Sequence, residues 1–128
     1  MSRETVEVVR AIYAAWESGE PVEDLVAPDL EYVNPPYAVE SGTTRGRDSL
    51  DGVRDVYPDF RVEVEAFIDA GDKVVMIGTA SGTAASGVHM VWRQGCVWTV
   101  EDGKAVRFQW FNEPDEALEA AGLKGRPR

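Results

Sequence analysis

A chain of 128 residues with 44% hydrophobic and 28% charged side chains has the size and composition of one ordinary globular domain. Its formal charge of −10, from 13 basic and 23 acidic residues, argues against nucleic-acid and anionic-membrane partners, which need clustered Lys and Arg to displace counterions. No apolar run of signal-peptide or membrane-spanning length occurs and Cys96 is the only cysteine, so a cytoplasmic protein without an internal disulfide is expected.

The opening segment reads as an amphipathic helix over residues 4–18. Val6, Val9, Tyr13 and Trp16 fall on one face, Glu4, Glu7, Arg10 and Glu17 on the other, and Gly19 supplies the stop. Residues 21–27 suggest a second, very short helix closed by Pro28. Residues 30–34 form a strand candidate that Pro35 and Pro36 end, and residues 37–46 read as a Gly/Ser/Thr-rich loop. A helix is expected from Arg47 to Val56, with Leu50, Val53 and Tyr57 on its apolar side and Pro58 beyond it.

From Phe60 onward the period changes to two. Phe60, Val62, Val64, Ala66 and Ile68 alternate with charged residues, as in a half-exposed strand. A turn at Ala70–Gly71–Asp72 leads into a return strand, residues 73–81, and residues 82–87 are small and polar. A long strand over residues 88–100 is expected to bend or bulge near Gly95. Residues 101–104, Glu-Asp-Gly-Lys, predict a hairpin turn before a last strand, residues 105–112. A short helix over residues 114–121 has proline in its first turn and Gly122 past its end.

Helices first and antiparallel strands after predict an α+β domain occupying all of residues 1–128. Its cone-shaped, curved antiparallel or mixed sheet would wrap around the N-terminal helices and enclose an internal pocket, a favoured place for a ligand.

These residues resemble the SnoaL-like family of the nuclear transport factor two-like superfamily. The resemblance lies in the opening Val-Arg-Ala-Ile-Tyr-Ala-Ala-Trp-Glu-Ser-Gly-Glu, the Pro58-Asp-Phe-Arg-Val62 junction and the Ile68-Asp-Ala-Gly-Asp-Lys-Val-Val segment. It continues through Val97-Trp-Thr, the 102–108 run Asp-Gly-Lys-Ala-Val-Arg-Phe and the tail 115–123. It implies the fold more strongly than any activity, since that fold hosts isomerases, cyclases, hydrolases, dehydratases and plain binders. Ketosteroid isomerase, a relative, places a carboxylate base where this chain has Asn34, and its other two site residues fall on Ile12 and Cys96. An amide cannot take up a proton near neutral pH, although it can hold a substrate oxygen. Limonene-epoxide hydrolase has a Tyr-x-Asn pair that Tyr32 and Asn34 reproduce. Its remaining acid, however, lands on Gln109, and only Thr79 and Ser81 stand where its Arg and Asp belong.

Tyr32 and Asn34, two apart on one strand, project a phenol and an amide to the same side. The competing reading makes Tyr32 core and Asn34 a cap on the turn at Pro35. Cys96 shares a strand face with Trp98, Trp92 and, absent a bulge, Met90 and Gln94. His89, the only histidine, falls on the opposite parity, so a Cys–His pair would require a bulge. The resemblance places Gln109 in the cavity, and Arg107 and Phe111 share its parity against Val106, Phe108 and Trp110. Tyr13 and Trp16 either line the helix side of the cavity or belong to the core. The candidate ligand-binding set is therefore Tyr13, Trp16, Tyr32, Asn34, Trp92, Cys96, Trp98, Gln109 and Phe111. Asn34, Cys96, Gln109 and His89 are the candidates for chemistry.

One His and one Cys make no metal site, and no phosphate loop or cofactor motif occurs, so no metal or cofactor is expected. A carboxylate such as Glu17, Glu31 or Asp48 folded into the cavity would favour catalysis. A pocket without one would favour binding. The sequence thus leaves open an isomerase, cyclase or hydrolase acting on a small hydrophobic organic ligand, and a non-catalytic binding or dimerisation module. A homodimer is expected in each case, because exposed Phe and Trp on an open sheet would otherwise form an apolar patch.

Overall fold

A computed structural model describes residues 2–38 and 42–123 of the chain, so the basic tail at 124–128 lies outside the described residues. Helix α1, Ser2–Ser18, buries Val9 and Ile12 completely and Tyr13 almost so. This is the face that the three- and four-residue spacing predicts. Each aliphatic side chain sunk this way contributes about 1.5–3 kcal/mol by area. Backbone bonds from Gly19 to Trp16 and from Glu20 to Ala15 close the helix at its C-terminus.

After a single 3-10 turn, Glu23–Leu25, strand β1 runs from Val26 to Asn34, earlier than its hydrophobic pattern suggests. Pro28 interrupts helical periodicity without preventing a strand, because the ladder to its neighbour is irregular between Val26 and Glu31 and no donor is needed there. Strand β2, Gly42–Arg45, lies in the segment expected to be loop. All four residues are exposed, so no apolar alternation announces it. Backbone pairing with β1 and the Arg45–Glu31 ion pair at 2.8 Å define it instead. The helix expected over 47–56 divides at Gly52 into a 3-10 turn, Arg47–Asp51, and a short α2, Gly52–Val56.

Strands β3 (Arg61–Ala70), β4 (Lys73–Thr83), β5 (His89–Glu101) and β6 (Lys104–Phe111) form an antiparallel meander. The β5–β6 turn holds Asp102 and Gly103 at φ of 52° and 78°, the two consecutive positive values that a tight hairpin requires. The sheet order is β2-β1-β6-β5-β4-β3. Only the β1–β6 pair is parallel, and register shifts in β3 and near the end of β5 curve the sheet.

Helix α1 crosses the inner face, chiefly against β3. Helix α3, Pro114–Ala120, lies on the outer face against β5. The inner layer joins Val9, Ile12, Tyr13, Leu30, Met76, Trp98 and Phe108 in one core. The outer layer gathers Val75, Val97, Phe111, Ala117 and Leu118.

The expected bulge near Gly95 is absent: the β4–β5 ladder is continuous from Lys73–Thr99 to Thr83–His89. Gly95 answers to packing instead. A Cβ there would lie 2.7 Å from Ala117 Cβ and 3.0 Å from Pro114 Cα, so its bare backbone is the seat of α3. Phe111 packs under the same helix, which removes the patch of exposed Phe and Trp from which a dimer was expected. The large hydrophobic residues exposed among the described residues are Tyr37, Val56, Val88, Met90 and Val91. No helix among the described residues is long and apolar enough to cross a membrane.

Candidate functional site

The pairing registers place Tyr32 beside Phe108 and Phe108 beside Trp98, with Trp110 beside Cys96 and Cys96 beside Met76. These residues share the inner face with α1. Tyr32 and Phe108 rings sit 5.1 Å apart, and Trp98 packs on Phe108 at 4.6 Å and on Tyr13 at 5.9 Å. Trp16 stands edge-on to Tyr13 at 5.2 Å. Further along the face, Trp92 packs at a tilt against Tyr57 and Phe60, with ring centroids 5.5 and 6.1 Å away.

Polar groups thread through this aromatic layer in a fixed order. Trp98 Nε1–H donates to the Tyr13 hydroxyl over 3.1 Å, and Tyr13 in turn hydrogen-bonds with Cys96. The Cys96 thiol donates to Gln94 Oε1 at 3.7 Å. On the neighbouring strand, Trp110 Nε1–H donates to Asn34 Oδ1 over 2.7 Å. An indole nitrogen can only donate, so this contact fixes which end of the Asn34 amide is oxygen. Both amides have their oxygens engaged by the protein, and among the described residues no side chain takes up their NH₂ groups. Gln94 is 7% exposed, and Asn34, Tyr32 and Trp110 are half-buried.

None of these groups ionises near neutrality. Burial pushes the Cys96 thiol up to about 12, with the Tyr13 hydrogen bond pulling slightly the other way. Burial and then the neighbouring Cys96 raise Tyr32 to about 12, and burial lifts Tyr13 well above the usual tyrosine value. A thiol so placed is a small core group rather than a nucleophile.

None of the three carboxylates considered for an inward position joins the aromatic layer, although Glu17 stands in the wall of an open groove beside α1. Glu31 points outward between Arg45 at 2.8 Å and Arg107 at 3.9 Å. Glu17 pairs with Arg61 at 3.1 Å and is 60% exposed, and Asp48 is exposed. Gln109 is also misplaced by the resemblance. It pairs with Val97 and Val33 on the outer face, and Phe111 lies on that face as well. The parity of β6 is thus the reverse of the one expected, with Phe108 and Trp110 inward.

His89 does not meet Cys96, because the unbulged β5 keeps them on opposite faces. Its Nδ1 lies 2.9 Å from Thr83 Oγ1. Trp92, Trp98, Trp16 and Tyr13 are all on the inner side. Gln94, visible in the sequence as a residue of Cys96 parity, lies on the same inner face. Trp110 was hidden by the wrong assignment of faces.

An open groove of about 750 Å³ runs between α1 and edge strand β3, and Arg10, Tyr13, Glu17, Arg61, Phe67 and His89 are among its walls. Tyr13 and His89 are the only predicted site residues in it. The Arg61–Glu17 pair and Arg10, stacked 4.9 Å over Phe67, are solvated contacts of small energetic weight. No cluster of metal-ligating side chains occurs among the described residues.

A six-stranded, curved mixed sheet closed by α1 on its inner face defines a fold class, and sequence comparison gives the family. The model of the SnoaL-like domain matches residues 9–108, and the chain belongs to that family. Similar solved structures include an NTF2-like protein of unknown function from Burkholderia pseudomallei, at 28% identity and TM-score 0.71, covering 91% of this chain and 95% of that one. An NTF2-like protein from Burkholderia thailandensis is 27% identical with TM-score 0.73, over 96% and 98% of the two chains. TerC, co-crystallised with polyporic acid, is 26% identical with TM-score 0.71, over 93% and 98%. No curated protein matches the chain.

Proposed function

We propose that this protein binds a small aromatic molecule rich in carbonyl-type oxygens on its inner face, and that it performs no acid–base chemistry there. The observation that carries this reading is the pair of amides, Asn34 and Gln94, whose oxygens are held by Trp110 and Cys96. What remains to each is a donor, so the matching ligand presents acceptors. The rings of Tyr32, Trp92 and Trp110 supply apolar surface around those donors, the usual composition of a small-molecule site. A group with a pKa near the working pH is what general acid–base catalysis requires, and the inner-face groups Tyr13, Tyr32 and Cys96 are all shifted away from it. The catalysis such a surface can offer is conformational, holding a flexible substrate in a reactive shape. TerC, co-crystallised with polyporic acid, supports this ligand class.

Native mass spectrometry of protein purified from its own host should show a bound, acceptor-rich aromatic compound. Polyporic acid and the neutral dye N-phenyl-1-naphthylamine are direct probes. Asn34→Leu and Gln94→Leu should each weaken an acceptor-rich ligand about tenfold, the effect of one lost hydrogen bond of about 1.4 kcal/mol, and leave the dye unaffected. Equal loss for both compounds, or none for either, would remove the amides from the site.

The proposal includes a homodimer, for which the exposed Val88 and Val91, 54% and 63% accessible, offer apolar surface near the start of β5. Sedimentation across a concentration series should give twice the 14.1 kDa chain mass. A monomer throughout would end that part of the reading.

A further inference from the structure

The turn after α2 brings Tyr57 and Phe60 onto Trp92, and it is attached to the sheet by contacts that the ligand reading does not use. The turn is tight, with Phe60 N–H donating to the Tyr57 carbonyl over 2.9 Å. Tyr57 rests directly on the backbone of β4: a Cβ on Gly82 would lie 2.5 Å from Tyr57 Cβ. Between the two rings Asp59 reaches the next residue of the strand. Its Oδ1 accepts from Thr83 N–H at 2.6 Å, and its Oδ2 accepts from the Thr83 hydroxyl at 2.8 Å.

That hydroxyl has one hydrogen, and a carboxylate can only accept, so the hydrogen belongs to the Asp59 contact. His89 Nδ1, 2.9 Å away on the paired strand, must then carry its own hydrogen and donate to Thr83 Oγ1. The chain of bonds has a single direction, from His89 to Thr83 to Asp59, and spans β5, β4 and the turn. Charge-assisted bonds of this kind are roughly twice as strong as neutral ones. The two bonds from Thr83 hold the Asp59 carboxyl below the usual carboxylate range, so the acceptor stays ionised at neutral pH.

We propose that Asp59, Thr83 and His89 form a clasp that holds the Tyr57–Phe60 turn against Trp92 and regulates entry to the inner face from that side. The regulatory part rests on the ligand-binding reading above, whereas the clasp is a property of the empty protein. Without the clasp, the turn loses its side-chain link to β4 and β5 and keeps its ring contacts with Trp92, the seat of Tyr57 on Gly82 and its local backbone bonds. The Pro58–Asp59 tip is exposed, so nothing packs over it to compensate.

Hydrogen exchange on the ligand-free protein tests the clasp directly. In Asp59→Ala the amides of Thr83 and Phe60 should exchange about tenfold faster, as for loss of one charge-assisted bond, while Val75 and Val97 in the outer core keep their rates. Thr83→Val retains the amide but loses the hydroxyl link to both partners, and should speed Phe60 exchange to a smaller degree. Faster exchange at Thr83 with Phe60 unchanged in both variants would overturn the clasp, because the turn would then be held by its remaining contacts.

Stopped-flow binding of N-phenyl-1-naphthylamine reads the second part, with faster association expected in Asp59→Ala. An unchanged association rate in a variant whose turn has loosened would overturn control of entry. A dye that fails to bind any form would count against the ligand-binding reading, with the clasp still decided by exchange.

Discussion

Trp98→Ala is expected to lower the free energy of unfolding by about 4 kcal/mol, the scale for emptying a fully buried aromatic site. Trp98 has no exposed surface, and its ring meets Tyr13, Trp16 and Phe108. Two costs add. Removing the indole leaves a large void that three rings on α1 and β6 cannot fill without leaving their own rotamers. It also takes the donor from the buried Tyr13 hydroxyl, the first member of the bond sequence leading to Cys96 and Gln94. Trp98→Phe separates the two costs, since it keeps much of the ring volume and loses the Nε1–H. Denaturant unfolding monitored by circular dichroism measures both variants. A loss of less than about 1 kcal/mol for the alanine variant would mean that the inner core closes up readily, contrary to the usual behaviour of tightly packed interiors. Against a total stability on the order of 5–15 kcal/mol for a domain of this kind, the expected loss is large enough to leave Trp98→Ala marginally folded.

Gly95→Ala should destabilise by about 2 kcal/mol, the typical cost of overpacking, even though alanine is ordinarily the better residue in a strand. Replacing glycine lowers the entropy of the unfolded chain and would by itself stabilise by about 0.4–1 kcal/mol. The steric term exceeds that gain here, because the new methyl group would sit 2.7 Å from Ala117 Cβ and 3.0 Å from backbone at Pro114. Neither is the movable end of a long side chain, so α3 itself must shift. Gly52→Ala is the control. Gly52 has helical angles, φ −57° and ψ −36°, and open space where a Cβ would go, so the same substitution should stabilise there. If both variants are equally stable or both are stabilised in thermal unfolding, the close seating of α3 on β5 is wrong.

Much of the fold is written in short-range patterns. The face of α1, the alternation in β3, the positive-φ turn at Asp102–Gly103 and proline at the start of α3 each follow from residues a few positions apart. What the sequence conceals depends on partners distant along the chain. Strand β2 has four exposed residues and exists because β1 offers it an edge. Pro28 reads as a terminator and is tolerated inside β1 only because the ladder lapses beside it. Gly95 has the local look of a bulge and is instead the contact point of a helix twenty residues further on.

The inner face was legible in part. Tyr32, Asn34, Trp92, Cys96 and Trp98 share it as their parity on β1 and β5 requires. The parity of β6 cannot be obtained that way, since a strand reports which residues alternate and not which set faces in. Analogy chose Gln109 and Phe111. The register of Trp98 with Phe108 and of Cys96 with Trp110 reverses the choice. The isolation of Cys96 from His89 depended on whether β5 bulges near Gly95 as expected, and the continuous β4–β5 ladder decides it.

The parallel pairing of β1 with β6 has a consequence for how the chain reaches this state. Residues 35–103 separate the two strands in sequence, whereas β3 to β6 are joined successively by short connections. Closing so long a loop costs conformational entropy that only the finished ladder repays, and contacts of that span slow folding. The meander is therefore the part able to form early, and β1, carrying β2 at its outer edge, is added late. In the reverse direction β1 is the strand to leave first, so destabilising changes at Val26 or Leu30 should act on the unfolding rate, while the same loss at Met76 or Val97 should slow refolding. Stopped-flow kinetics of one variant from each group would show the division, and identical partitioning in both would refute this order of assembly.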